Sequence, residues 1–281
     1  MSKVCIDAGH YGKYNASPAN KAYYESVRMW KLHELLAAEL RKRGITVVVT
    51  RSNQAADLSL ISRGKKAKGC DLFLSLHSNA VGSGVNESVD YPVAYVLRPN
   101  ARTTIDEKAA EIGLILAKVV QATMGTTQPA RTATRAASSD RDGNGVRDDE
   151  YYGVLEGARQ MGVPAVILEH SFHTQTRATN WLLSDSNLQR LAVAEADAIA
   201  AWLGAKAPAQ TGSKPSTGTP GHYGIKITCT ALNIRTGPGT GYKIAGTIRD
   251  KKTYTITKEQ NGWGLLKSKA GWISLAYTRK V

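Results

Sequence analysis

Three short apolar runs along the chain each end in ionisable residues. Residues 4–10 read VCIDAGH, residues 71–77 read DLFLSLH, and residues 163–170 read VPAVILEH. Continuous apolar runs of this length are typical of strands buried within a sheet. In open α/β sheets, ligands gather at the carboxyl ends of the strands. We therefore predict that the ionisable residues at the three run ends meet at one edge of a single sheet.

Helical patterns separate these runs. Apolar residues recur at helical spacing over residues 25–43, and Gly44 follows at the position where helices commonly end. Similar patterns predict further helices at 58–67, 105–124, 151–161 and 188–203 and further strands at 45–50 and 93–97, and polar composition predicts a surface loop at 125–150. Strands that alternate with helices predict an α/β fold with a twisted, mostly parallel sheet flanked by helices.

The pattern changes after about residue 204. Residues 205–222 are rich in Pro, Gly, Ser and Thr, which is typical of a flexible linker. Beyond them, short alternating strands broken by glycines predict a small all-β barrel. We predict a first domain at 1–204, a linker at 205–222 and a second domain at 223–281.

The positive charge of the chain is concentrated in its last part. The net charge is +14, of which residues 223–281 contribute +9 and residues 1–204 contribute +3. An acidic polymer is the natural partner of such a segment: nucleic acid, an anionic membrane or a bacterial wall. No base-reading motif or recognition helix is apparent, which argues against nucleic acid, and no apolar run is long enough to span a bilayer.

The cysteines and the first residues indicate the cellular compartment in which the chain is made. Three scattered cysteines give no disulfide framework and suit a reducing compartment. The residues after Met1 lead directly into the first strand without the apolar segment of a signal peptide. We expect synthesis in the cytoplasm.

His10, Glu25 and His77 are the predicted ligands of one zinc ion. Two imidazoles and one carboxylate suit Zn²⁺, and three protein ligands leave the fourth position open, as a catalytic site requires. Glu25 opens the first predicted helix, which aims its carboxylate at the sheet edge. Glu169 ends its strand and is the candidate general base and acid.

Each of these residues also has an ordinary structural interpretation. A histidine at a strand end usually satisfies a local hydrogen bond, and a glutamate at a helix start usually interacts with the helix dipole. Their convergence at one edge favours a metal site. His170 and His173, close to Glu169, are expected to support the ligands or line the pocket.

Two rival motifs are incomplete. His33 begins an HExxH-like stretch, but Ala37 stands where the second histidine is needed. Residues 140–145 (DRDGNG) resemble the first half of a calcium loop, but Tyr151 occupies the position of the bidentate glutamate. We interpret residues 140–145 as a solvated loop.

Four stretches resemble the zinc-dependent N-acetylmuramoyl-L-alanine amidases of type 3. They are DAGH at 7–10, a glutamate fifteen residues after that histidine, SLHSNA at 75–80 and LEHSF at 168–172. The resemblance covers roughly residues 2–204.

This resemblance implies a twisted sheet flanked by helices and cleavage of the amide that joins the lactyl group of muramic acid to L-alanine. By the same resemblance, His10, Glu25 and His77 would bind zinc and Glu169 would be catalytic. Zinc would supply Lewis-acid chemistry. Glu169 would take a proton from the attacking water and pass one to the departing amine.

The last domain resembles bacterial SH3-type wall-binding domains. The resemblance rests on ALNIRTGPGTGYKIAGTI at 231–248 and on NGWGLLK and GWI within 261–273. It implies an SH3-like barrel that binds peptidoglycan or its cross-bridges. We predict Trp272 as a core residue, with Arg235, Tyr242 and Trp263 as weaker candidates for ligand contact.

With these two domains joined by a linker, the chain resembles a bacteriophage or prophage endolysin. Such an enzyme would be made in the bacterial cytoplasm and would act on the wall after the membrane is breached, with peptidoglycan and anionic wall polymers as partners. Two alternatives stay open: a zinc peptidase that cuts within the wall peptide, and a non-catalytic wall-binding protein. The oligomeric state is left open by the sequence.

Overall fold

The computed structural model describes residues 2–98, 104–139, 149–205, 223–238, 242–250, 252–260 and 263–281. The chain divides into two units, Met1–Ala209 and Gln210–Val281, each with its own hydrophobic core. Most of the predicted linker and all of the calcium-like loop at 140–145 lie outside the described residues. The predicted domain limits therefore stay predictions.

A six-stranded sheet forms the centre of the first unit. Its strands are β1 (Lys3–Ala8), β2 (Thr46–Val49), β3 (Leu72–Asn79), β4 (Val93–Val96), β5 (Arg131–Ala133) and β6 (Ala165–Phe172). The spatial order is β2-β1-β3-β6-β4-β5. Strands β2, β1, β3 and β6 are mutually parallel, whereas β4 runs antiparallel to β6 and parallel to β5. The predicted α/β fold with a mostly parallel sheet is confirmed.

Helices cover both faces of this sheet. They are α1 (Glu25–Lys42), α2 (Leu60–Lys65), α3 (Thr104–Met124), α4 (Gly153–Arg159), α5 (Thr176–Leu182) and α6 (Asp185–Trp202). On β6, Val166 approaches α3 at Gly113, whereas the next residue, Ile167, shares a pocket with Val154 of α4. Because successive side chains of a strand point to opposite faces, α3 and α4 lie on opposite sides. None of the helices in the described part of the chain combines the length and hydropathy needed to cross a bilayer.

Two elements of the first unit were not predicted. Strand β5 lies within the polar segment that was predicted to be a surface loop, and its three residues are too few and too polar to form an apolar run. Helix α5 has only seven residues, and the Gln175 side chain caps it by accepting from the Ala178 amide at 2.6 Å. The last helix begins at Asp185, after the Ser184 cap, rather than at residue 188.

The second unit is a seven-stranded antiparallel sheet. Its strands are β7 (Tyr223–Ile227), β8 (Leu232–Arg235), β9 (Ile244–Ile248), β10 (Thr253–Gln260), β11 (Trp263–Leu266), β12 (Trp272–Ser274) and β13 (Thr278–Lys280), with a 3-10 turn at Leu275–Tyr277. The spatial order is β13-β7-β10-β11-β12-β8-β9.

Aliphatic side chains fill the core of the second unit. They are Ile225, Ile227, Leu232, Ile248, Ile256, Leu266 and Ile273. The prediction that Trp272 is a core residue was wrong: Trp272 is half-buried and belongs to the opposite face, since its neighbour Ile273 points inward.

Candidate metal centre and catalytic pocket

His10 lies just beyond the end of β1, where the chain turns sharply. The turn gives His10 a positive φ of 56°. A Cβ atom on the preceding Gly9 would lie only 2.5 Å from the His77 ring. Glycine is therefore needed between β1 and His10, because only a residue without a side chain lets the two histidines approach each other.

Glu25 is the first residue of α1, and the loop before the helix fixes its position. The Glu25 amide donates to the Asn15 carbonyl at 3.0 Å, and the Asn15 side-chain amide donates to Glu25 Oε2 at 2.6 Å. The backbone amide of Ser78 donates to the other oxygen, Oε1, at 3.0 Å. These hydrogen bonds hold the carboxylate between the loop and the end of β3, where the Glu25 side chain is almost fully buried.

His10, Glu25 and His77 form a compact group of potential metal ligands. His77 Nδ1 lies 2.9 Å from Glu25 Oε1, and His10 Nε2 lies 3.2 Å from Glu25 Oε2. One donor atom from each residue lies within 4.8 Å of the other two. Two imidazole nitrogens and a carboxylate oxygen at this spacing fit a divalent ion such as Zn²⁺.

A buried hydrogen-bond relay orients His77 from behind. His77 Nε2 lies 3.1 Å from Ser75 Oγ, and Ser75 Oγ donates to Asp7 Oδ2 at 2.7 Å. Arg63 holds both oxygens of Asp7, at 2.9 and 2.6 Å. Because Ser75 gives its proton to Asp7, it is left to accept a hydrogen bond from His77 Nε2, and a metal ion would bind at Nδ1 in place of the contact with Glu25.

Asp7 and Ser75 were not predicted as residues of the site. A signal was present for Ser75, which stands two residues before His77 and therefore shares its face of β3. Asp7 can be assigned to the site only from the pairing of β1 with β3, which places Asp7 opposite Ser75.

Glu169 lies directly opposite His77 in the pairing of β3 with β6. Its side chain is buried, and its Oε2 atom has no hydrogen-bond partner among the described residues. Burial and the nearby charge of Glu25 raise the pKa of Glu169 well above its usual value. A buried carboxyl group with a raised pKa and an unused oxygen is suited to exchange protons.

Glu25 has the opposite electrostatic character. Burial acts to raise its pKa, but the hydrogen bonds and charges of His10 and His77 outweigh burial and hold the pKa well below the usual value. Glu25 therefore stays ionised, as a metal ligand must.

An open cavity of about 470 Å³ adjoins Glu169 and the two histidines His10 and His77. Residues from the strand ends, α2 and the start of α4 line it: His10, Leu60, Arg63, His77, Tyr151, Tyr152, Gly153, Val154, Ile167 and Glu169. The cavity therefore brings two of the three potential ligands and Glu169 to one accessible space.

The other three histidines of the described residues, His33, His170 and His173, do not line this cavity. His170 is fully buried; its ring nitrogens contact the His77 carbonyl and Glu195 Oε1, each at 2.9 Å. His173 contacts the Ser78 carbonyl at 2.8 Å. Both support the backbone at the end of β3. His33 is buried against Trp30, and it belongs to no group of potential metal ligands among the described residues.

A buried carboxyl group beside three potential metal ligands, next to a cavity at a sheet edge, is an arrangement suited to metal-assisted hydrolysis. Comparison with known families agrees. The N-acetylmuramoyl-L-alanine amidase family matches residues 4–201, and the bacterial SH3 domain family matches residues 230–279. The chain belongs to the N-acetylmuramoyl-L-alanine amidase family, and it is a peptidoglycan amidase with a bacterial SH3 domain. Both predicted resemblances are confirmed.

Solved structures show the same fold in the first unit. The catalytic domain of CwlV, an amidase from Bacillus (Paenibacillus) polymyxa var. colistinus, is 22% identical, with a TM-score of 0.56 over 73% of this chain and 100% of that chain. An amidase from Clostridium difficile 630 is 20% identical, with a TM-score of 0.58 over 73% and 98%. AmiC2 of Nostoc punctiforme is 20% identical, with a TM-score of 0.56 over 72% and 97%. No curated protein sequence matches the chain significantly.

Proposed function

We propose that the chain is a zinc-dependent wall-lytic amidase of the endolysin type, with His10, Glu25 and His77 as zinc ligands and Glu169 as the general base and acid. The observation that carries this assignment is the presence of two unlike carboxylates at one edge of the sheet, of which Glu169 lines the cavity and Glu25 lies behind His10 and His77. Glu25 is held ionised by two histidines, whereas Glu169 has a raised pKa and an oxygen, Oε2, that finds no hydrogen-bond partner in the described part of the chain.

Zinc bound by the three ligands would supply Lewis-acid chemistry at the scissile carbonyl. The chain's own groups would handle the protons. Glu169 takes the proton of the attacking water and then delivers one to the nitrogen of L-alanine, which leaves only as a protonated amine. The raised pKa of Glu169 supports this shuttle, because a carboxylate that burial makes more basic accepts the proton of water more readily and can then pass a proton on.

The second unit supports action on an assembled wall. It belongs to the bacterial SH3 domains, and residues 223–281 carry eleven basic and two acidic residues. A basic wall-binding unit would keep the catalytic unit on a polyanionic substrate, including anionic wall polymers. We propose a bacteriophage or prophage origin and release from the cytoplasm when the membrane is breached.

The decisive experiment is digestion of purified peptidoglycan, with the products identified by mass spectrometry. The proposal expects peptides with a free L-alanine amine together with glycan that has lost its peptides. Activity should disappear after treatment with a chelator and return with Zn²⁺. Cuts within the peptide would indicate a peptidase instead, and an undigested but bound wall would indicate a binding protein.

Expression inside bacterial cells tests the endolysin role. Cells that make the chain should stay intact until a pore-forming agent opens the membrane, and should then lyse. Lysis without that agent, or no lysis after it, would contradict this part of the proposal.

A further inference from the structure

A row of paired side chains crosses five strands of the second unit. Lys258 of β10 stands opposite Leu265 of β11, and Leu265 stands opposite Trp272 of β12. Trp272 in turn pairs with Arg235 of β8, and Arg235 pairs with Ile244 of β9. Residues that pair directly across strands share one face of the sheet. We call these five residues the outer row.

The outer row faces away from the core of the second unit. Its members alternate with core residues: Leu265 precedes Leu266, and Trp272 precedes Ile273. Within the described part of the unit, no row residue belongs to the core cluster or packs against it. Ile244 is 55% exposed, although isoleucine is normally a core residue. The row is therefore apolar surface that the fold itself does not cover.

Aromatic and basic groups are combined on this face. Trp263 precedes Leu265 by two residues and thus extends the apolar surface beside Trp272. Lys258 Nζ lies 5.9 Å from the centre of the Trp272 ring, and Arg235 donates one hydrogen bond to the Tyr242 carbonyl at 2.7 Å. The face therefore presents indole surfaces flanked by two cations.

The charges of the outer row are not balanced by the unit's own carboxylates. Residues 223–281 contain only two, Asp250 and Glu259. Asp250 lies 3.7 Å from Lys252, and Glu259 lies 3.7 Å from Lys280. An anionic partner would supply the missing countercharge.

We propose that the outer row is the surface through which the second unit binds peptidoglycan, a deepening that rests on the wall-binding part of the proposed function. The indoles of Trp263 and Trp272 pack against the apolar faces of sugar rings or peptide groups. Lys258 and Arg235 pair with the free carboxylates of the stem peptides. The occupant is peptidoglycan itself rather than a phosphate-bearing polymer attached to it.

Co-sedimentation of the full chain with bacterial sacculi tests this assignment. Sacculi are used before and after removal of their teichoic acids with hydrofluoric acid, and binding is measured on ice over a short time. The wild-type chain should bind both preparations, more weakly as salt is added. Trp272→Ala should weaken binding about tenfold or more, because a central tryptophan commonly dominates an interface. Trp272→Phe should recover most of that loss.

The charge contribution has a matched control. Lys258→Gln should weaken binding about threefold at low salt, the size expected for one exposed ion pair. Lys226→Gln removes the same charge from an exposed position on β7, outside the outer row. Lys226 pairs with Thr253, which is five residues from Lys258 along β10. Lys226→Gln should bind as the wild type does.

Three outcomes would overturn the proposal. They are unchanged binding by a folded Trp272→Ala chain, equal effects of Lys258→Gln and Lys226→Gln, and binding that vanishes with the teichoic acids. Cleavage of soluble peptidoglycan fragments is measured in parallel on every variant. If the outer-row variants cleave normally and also bind the wall as the wild type does, the role of the outer row is refuted but the proposed function is not. If the wild type itself cleaves no fragments, the proposed function is refuted.

Discussion

Glu25 and Glu169 are two buried carboxylates at the same edge of one sheet, yet their surroundings are opposite. Glu25 receives hydrogen bonds from the Asn15 amide and the Ser78 backbone, and both candidate histidine ligands contact it. Glu169 has an oxygen with no partner among the described residues. The pKa of Glu25 is lowered by its histidines, whereas burial and the charge of Glu25 raise the pKa of Glu169.

This difference shows how one fold can give two identical side chains separate roles. A carboxylate surrounded by donors is fixed and ionised, which suits a ligand. A carboxyl group that burial leaves short of partners changes its protonation state readily, which suits a proton shuttle. The environment, rather than the residue type, assigns the function.

The largest effect is expected from Glu169→Gln. Amidase turnover should fall by about 10²- to 10⁴-fold, because the shuttle is removed while the shape of the side chain is kept. The bound metal, measured by atomic emission, should stay at the wild-type level. Near-normal turnover with the metal still bound would remove Glu169 from the mechanism.

Glu25→Gln should instead act on metal binding. Loss of a charged ligand should weaken zinc affinity by more than about 100-fold, which exceeds the usual effect of changing a residue behind the ligands. A competing chelator dye measures the affinity. Glu34→Gln, an exposed position on the same helix, is the control and should leave the affinity unchanged. Equal zinc affinities of the Glu25→Gln and wild-type chains would refute Glu25 as a ligand.

Ser75→Ala tests the relay behind His77. Without Ser75, neither the His77 proton nor the orientation of its ring is fixed, and zinc affinity should fall by about 10- to 100-fold. The exposed Ser88→Ala serves as the control. An unchanged affinity would mean that Glu25 and the strand backbone alone orient His77.

The smallest effect concerns stability in the metal-free state. The folded chain keeps the Glu169 proton above the ordinary pKa of 4.5, where the unfolded chain has lost it. Because the unfolded state then binds fewer protons than the folded state, the contribution of Glu169 to the free energy of unfolding falls as the pH rises from 4.5 to the raised pKa of Glu169. At higher pH this loss of stability stays constant. With a chelator present, Glu169→Gln should raise the unfolding temperature by about 2–4 °C at neutral pH. The difference should vanish well below pH 4.5; a shift that is equal at every pH would point to packing rather than charge.

Much of the first unit could be predicted from local patterns. The apolar runs that became β1, β3 and β6 are long enough to identify buried strands, and the residues at their ends identify the edge where the site lies. Elements without such a pattern were missed: β5 has three residues in a polar segment, and α5 has seven. Short elements depend on the neighbours that pair with them, and these neighbours are distant in sequence.

The relay of Asp7, Ser75 and His77 marks the same limit at the site. Asp7 and Ser75 are 68 residues apart, and only the register of β1 with β3 joins them. No local sequence pattern could show that Asp7 accepts a hydrogen bond from Ser75, which in turn contacts the His77 ring.

Local apolar patterns and the order of the motifs along the chain were enough to predict the fold class, the family and four candidate site residues. The different surroundings of those four residues arise from contacts between segments that are distant in the chain. Tertiary contacts surround Glu25 with donors, leave Glu169 Oε2 without a partner among the described residues, and turn Trp272 outward and Ile273 inward. Alternation along a strand shows that two neighbours face opposite ways, but which face is buried depends on the strands that pack against it.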